Sequence, residues 1–185
     1  MNSIEVMVNE HRYIKRMLKV IRQACYNIMQ GEIICYEDFN KIVDFVRNYA
    51  DKHHHGKEEK FLFNQMIEHL GELGSKLVRS GMYVEHDLGR LYMQDLEVAL
   101  EKYQAGDEES KLDIIANAIS YTHLLERHIA KEDNVVYKFA QDALPPEVLK
   151  QVHIETKRFE NIAEENGVQK YYIGILEALE HKYLG

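Results

Sequence analysis

Apolar residues return every three or four positions through most of this chain, the period of helices with one buried face. The first stripe reads Ile4, Met7, Val8, His11, Ile14, Leu18, Ile21, Cys25 and Ile28. It predicts a helix from Ser3, a good N-cap, to about Gln30, with Gly31 as the stop. A second helix is expected from about Tyr36 to Leu70, on Phe39, Val43, Val46, Ala50, His54, Glu58, Phe61, Leu62 and Gln65. Gly71 to Gly81 reads as a connection with one helical turn. A third helix runs from Met82 to Gln104 through His86, Gly89, Met93, Leu96, Leu100 and Tyr103. After the loop AGDEES, a fourth reaches about Ala143 on Ile114, Ala118, Tyr121, Leu125, His128, Glu132, Val135, Val136 and Phe139. Pro145 and Pro146 stop it and start the first of two shorter helices, parted at Gly167, that complete the chain. No segment has a strand pattern. The expected fold class is all-α: an up-down-up-down four-helix bundle over residues 1–144, with two extra C-terminal helices in 145–185. Those two pack on the bundle or support a homodimer.

Composition narrows this only slightly. Two prolines in 185 residues suit long helices. A formal charge of −8 disfavours a nucleic-acid partner, because an acidic surface repels phosphate. There is no apolar run of about 18 residues that would span a membrane, and the first residues lack the apolar run of a signal peptide. Cys25 and Cys35, with no CxxC, read as reduced thiols of a cytoplasmic protein.

The chemistry lies where polar residues interrupt the apolar stripes. His11 does so on the first helix, His54 and Glu58 on the second, His86 on the third, His128 and Glu132 on the fourth. His11 and His86 are 75 positions apart; His54 and His128, and Glu58 and Glu132, are each 74 apart. The text H-x-x-K-E-[ED] follows both His54 and His128, so a helix pair is repeated. Residues i and i+4 share a helix face about 6 Å apart, so each His-Glu pair can hold one ion. Single histidines would approach from neighbouring helices. Imidazole with carboxylate suits iron, manganese or zinc. A lone histidine on an apolar stripe is more often a hydrogen-bonded core residue, and a lone glutamate an ion-pair partner. Six such exceptions at a constant offset favour metal ligands, because uncompensated burial of polar groups is costly.

The other candidates are weaker. His53 and His55 flank His54 about 100° away on an α-helix and are expected at the surface, the alternative being that one of them supports a ligand; His69, His153 and His181 are expected at the surface and His123 at the periphery. Glu59 and Asp133 either orient ligands or are solvated. Tyr49 and Tyr121 read as packing residues, and Lys57 and Lys131 as a solvated face.

In these residues the chain resembles the hemerythrin-like proteins of the HHE cation-binding family, whose pattern H…HxxxE…H…HxxxE reads here His11…His54-xxx-Glu58…His86…His128-xxx-Glu132. KEEKFLF, EHDLGR and HIAKEDNVVY add to the likeness, which covers about residues 4 to 144. It implies a four-helix bundle with an oxo- or hydroxo-bridged centre of two iron ions. His11 and His54 would serve one ion, His86 and His128 the other, with Glu58 and Glu132 bridging. Oxygen-carrying hemerythrins have a further histidine one turn after the third-helix histidine, where this chain has Arg90. They also place a carboxylate five residues after the fourth-helix histidine, whereas Glu132 is four after His128. One iron is thereby left a protein ligand short. The branch that repairs iron-sulfur clusters has an N-terminal cysteine-pair domain, which has no counterpart here. The expected function is to bind, sense or reduce a small diatomic molecule or peroxide, such as oxygen, nitric oxide or hydrogen peroxide. The alternatives are iron storage or delivery, or a metal-stabilised interaction module without catalysis.

Overall fold

A computed structural model describes residues 2–185. They form six helices and no strand among the described residues. Helix α1 is Ser3–Met29. Helix α2 spans 36–69, α3 spans 71–104 and α4 spans 110–143, each composed of successive segments. Helices α5 (Pro146–Glu165) and α6 (Val168–Leu184) follow.

Helix α1 starts one residue earlier than its Ser3 suggests. Asn2 is the cap: its side chain accepts from the Glu5 N–H at 2.9 Å, and the Glu5 carboxylate accepts from the Asn2 N–H at 2.9 Å. This reciprocal pair contributes about 1 kcal/mol. Ser3 instead meets His153 of α5, its Oγ 2.7 Å from Nδ1, so His153 is half-buried rather than a surface residue.

The connection expected at 71–81 is helical. Gly71–Leu77 and Val78–Met82 lead directly into Tyr83–Gln104. Gly74 is there for space: a Cβ would lie 2.5 Å from the Leu70 Cβ and 2.6 Å from the Met66 carbonyl oxygen. Only a glycine lets the start of α3 fold back this closely on the end of α2.

Four stretches are wound as π-helix: Val46–His55, Glu58–Phe63, Val78–Met82 and Glu132–Val136. At three of their ends an N–H reaches five residues back, Gly56 to Asp51, Tyr83 to Val78 and Tyr137 to Glu132. Such wide turns are rare and cluster at functional sites. They also change which side chains face inward. Val135, on the expected stripe, is exposed, while Val136, Tyr137 and Ala140 are buried.

Two apolar clusters form the core. One gathers Ile14, Leu18, Ile21, Phe39, Phe45, Leu96, Ile114 and Leu125, with Leu176 and Leu179 of α6. The other gathers Ile4, Met7, Leu62, Met66, Val78, Met82, Val136 and Ala140, with Val152 of α5. Both C-terminal helices are thus part of the core. Helix α6 is also tied by Arg16 to Glu180 at 2.6 Å and by the Tyr183 hydroxyl to Asp38 at 2.8 Å. The polar residues singled out above lie between the two clusters on each helix.

Cys25 and Cys35 are both free thiols. Cys25 sits in the first cluster, and burial pushes its thiol up to about 12. Thiolate is the reactive form. A thiol reagent is therefore expected to modify half-buried Cys35 in the native protein and Cys25 only after unfolding. Equal rates at both, read by mass spectrometry, would contradict this burial. No helix among the described residues is long and apolar enough to cross a membrane.

Candidate metal centre

All six residues picked out by the stripes meet in one buried layer. The Nε2 atoms of His11 and His54 are 2.9 Å apart, and those of His86 and His128 are 3.1 Å apart. Glu58 and Glu132 lie between the pairs. A Glu58 oxygen is 3.7 Å from His54 Nε2 and 3.6 Å from His86 Nε2. The Glu132 oxygens are 3.2 Å from His11 and 3.1 Å from His128. None of the six exceeds 1% exposure. One Glu58 oxygen and both Glu132 oxygens lack a hydrogen-bond partner, which is costly at this depth. The other Glu58 oxygen accepts from the Tyr137 hydroxyl.

The outward face of each imidazole is committed. Nδ1 of His11 lies 2.7 Å from Asp133, that of His54 2.8 Å from Glu10, that of His86 2.7 Å from Glu59 and that of His128 2.9 Å from Glu85. Burial disfavours charge on Glu10, Glu59 and Asp133, but hydrogen bonds from these histidines and nearby cations outweigh it and hold all three below their ordinary range. Glu85 is held low chiefly by its bond from His128. An ionised carboxylate only accepts, so each Nδ1 carries a hydrogen and Nε2 is the atom left for a cation. Imidazole with an outer carboxylate is the usual support of a metal-ligating histidine.

Each outer carboxylate meets a cation in turn. Lys15 reaches Asp133 at 3.0 Å and Arg90 reaches Glu59 at 2.7 Å; Lys57 pairs with Glu10 and Lys131 with Glu85. These partners obey the repeat: Glu10 and Glu85, like Lys15 and Arg90, are 75 positions apart. Glu59 and Asp133 thus orient His86 and His11. Glu10 and Glu85 were missed, although each directly precedes a stripe histidine at the same offset.

Burial opposes charge on His128, yet Glu132 and Glu85 raise it to about 9, and Asp133 and Glu132 raise His11 too. Burial and the charge of His11 push His54 down to about 4. Burial and the Glu132 charge push Glu58 well above the carboxylate range. These surroundings favour protons on Glu58, His11 and His128 while His128, His11 and His86 hold Glu132 ionised against its burial, so a metal bound here would exchange with protons.

Three expectations need correction. His53 and His55 are buried, not on the surface. His53 lies against Phe159 and Glu160 of α5 and His55 against His86 of α3, so helices on either side of His54 bury its neighbours. Lys57 is not solvated. It is wholly buried, paired with Glu10 and with Glu160 of α5, and 3.1 Å from His53 Nε2. Glu10, His53 and Glu160 are close enough to hold an ion, but the Lys57 ammonium already occupies that role. Lys131 is half exposed. Tyr49 and Tyr121 are buried, as packing residues should be, and His69, His123 and His181 are exposed.

Two groups have donor atoms all within 4.8 Å of one another: His11, His54, Glu58 and Glu132, and His55, Glu58, His86 and His128. These His and Glu clusters fit a metal site. The sequence profile of the hemerythrin HHE cation binding domain matches residues 2–140. The chain belongs to that family. As a hemerythrin HHE protein it is a cation-binding protein, and the clusters are where its family's chemistry would reside. Among curated proteins, uncharacterized protein Mb2018 of Mycobacterium bovis and uncharacterized protein Rv1995 of Mycobacterium tuberculosis are each 23% identical to it over 140 residues. The match covers 76% of this chain and 54% of theirs, so it spans about half the length of those relatives. No solved structure matches.

Proposed function

We propose that this protein is a non-haem di-iron protein that binds, senses or reduces a small molecule such as oxygen, nitric oxide or peroxide. His11, His54, Glu58, His86, His128 and Glu132 are its ligands. The observation that carries this reading is the direction of four imidazoles, each with Nδ1 bound to a carboxylate and Nε2 turned into a space shared with two poorly partnered glutamates. Two such imidazole pairs about two glutamates call for two ions. Iron is the metal the family suggests, and manganese or zinc would suit the same donors. When bound, iron supplies electrons and an open coordination position for the small molecule. The chain's own part is to fix the imidazoles, supply two carboxylates and keep bulk water out.

On this reading residues 1–144 form a four-helix bundle of alternating direction, and residues 145–185 an extension packed on it. In support, each of α1 to α4 passes from one apolar cluster through the polar layer to the other. A cytoplasmic location and a protein that works without nucleic acid or membrane are part of the same proposal. Wholly buried ligands favour a fixed centre over iron storage or delivery, where labile, accessible ligands are needed.

The test is spectroscopic. The purified protein should contain about two irons per chain, and its visible spectrum should change on adding azide, nitric oxide or hydrogen peroxide. Iron that is present but indifferent to all of these would remove the small-molecule reading and leave a structural metal.

A further inference from the structure

The sequence leaves the ion of His86 and His128 one ligand short, because Arg90 stands where a histidine would complete it. We propose that His55 completes it, as the third imidazole of that ion. This inference rests on the metal-centre reading above and deepens it.

His55 is buried, and its Nε2 has no hydrogen-bond partner. Its Nδ1 lies 3.3 Å from an Asp51 oxygen, which Arg90 fixes from Nε at 3.0 Å and from a terminal nitrogen at 2.7 Å. This is the arrangement of the other four imidazoles: Nδ1 on a carboxylate, the carboxylate on a cation, Nε2 unspent. His55 belongs to the group in which donor atoms of His55, Glu58, His86 and His128 all lie within 4.8 Å of one another. The ring is stacked on His86 with centroids 3.8 Å apart and planes 9° from parallel, which sets it beside the His86 imidazole at the edge of the centre. Arg90, far from being an empty replacement, positions both carboxylates that hold them, Asp51 for His55 and Glu59 for His86.

The repeat shows that His55 is an addition. At the offset of 74 its counterpart is Ile129, which offers no donor. The other half differs in a second way. Its Tyr137 matches Phe63 at the same offset, and the Tyr137 hydroxyl reaches Glu58 and lies 3.5 Å from His11 Nε2. The two ions are therefore unlike. One has three imidazoles, and the other has two and a phenol beside it. The open position belongs to the His11 and His54 half.

The test uses the full chain as isolated, in wild type, His55→Phe and His55→Asn. Phenylalanine keeps the stacked ring and asparagine keeps a partner for Asp51, so each preserves a structural role that the other loses, and both lack the Nε2 donor. Metal per chain is counted by elemental analysis, and loss of metal to EDTA is followed in time. The expected result is two ions in wild type and, in both variants, one ion held as in wild type and one lost at least about tenfold faster. In His55→Ala, millimolar imidazole should restore the second ion, entering by the open cavity of about 560 Å³ that His55 and His86 line. Circular dichroism checks folding, and either variant that folds decides the question. Two ions retained with wild-type kinetics in a folded variant overturn the proposal. Wild type that holds no metal overturns the metal-centre reading, and this inference with it.

Discussion

The double variant Glu58→Ala, Glu132→Ala is expected to purify with almost no metal, against an expected two ions or so per chain in wild type. These two carboxylates are the groups shared between the imidazole pairs, so no ion keeps a full ligand set without them. Stability should follow. A ligand a thousandfold above its dissociation constant adds about 4 kcal/mol to the folded state. At 2–4 °C per kcal/mol for a chain of this size, EDTA should lower the wild-type melting temperature by roughly 10 °C. The variant's melting temperature should not respond to EDTA. Stability without metal should fall as well. Glu132 still pairs with His11 and His128, and removing one member of a buried pair strands the other. The stripped variant should therefore melt below stripped wild type. Elemental analysis with paired melting curves decides this. A variant that keeps its metal would show that the imidazoles alone suffice.

Lys57→Ala should be the most damaging single change outside the ligand set, and Lys131→Ala, its counterpart in the repeat, among the mildest. Both lysines pair with a carboxylate that holds a buried histidine of the polar layer. Lys57 is wholly buried and also binds Glu160, whereas the Lys131 side chain is half exposed. Removing one member of a buried ion pair strands the other, at about 3–5 kcal/mol. An exposed pair is worth about 0–1 kcal/mol. Thermal denaturation should show a drop of roughly 6–20 °C for Lys57→Ala and less than about 4 °C for Lys131→Ala. Equal drops would mean that position in the repeat, rather than burial, sets the contribution.

The sequence disclosed the ligand candidates for a definite reason. A histidine or glutamate on an apolar stripe is conspicuous, and two HxxxE pairs at one offset are more so. The all-helical class followed from the same periodicity. What escaped notice lay off the stripes or depended on winding. Glu10 and Glu85 look like surface residues, because a carboxylate next to a histidine points away from the core on an ideal helix. Counting about 100° per residue puts His53 and His55 outside, a count that fails through Val46–His55, and a lysine carries no mark of burial until α5 is seen to cover Lys57. The first turns of α3 were taken for a connection because three glycines fall between 71 and 81. At Gly74 the glycine serves close packing within a helix, which no local pattern distinguishes from a break.

A π turn is the trace of one surplus residue absorbed by an α-helix without breaking it, and this has a consequence for how the centre tolerates slippage. Sliding 46–63 by one residue would normally exchange a ligand for an unrelated side chain. Here His54 is flanked by His53 and His55, and Glu58 is followed by Glu59. A slip that brings up the next residue on α2 presents His55 and Glu59, side chains of the same kind, on the helix with the longest π winding.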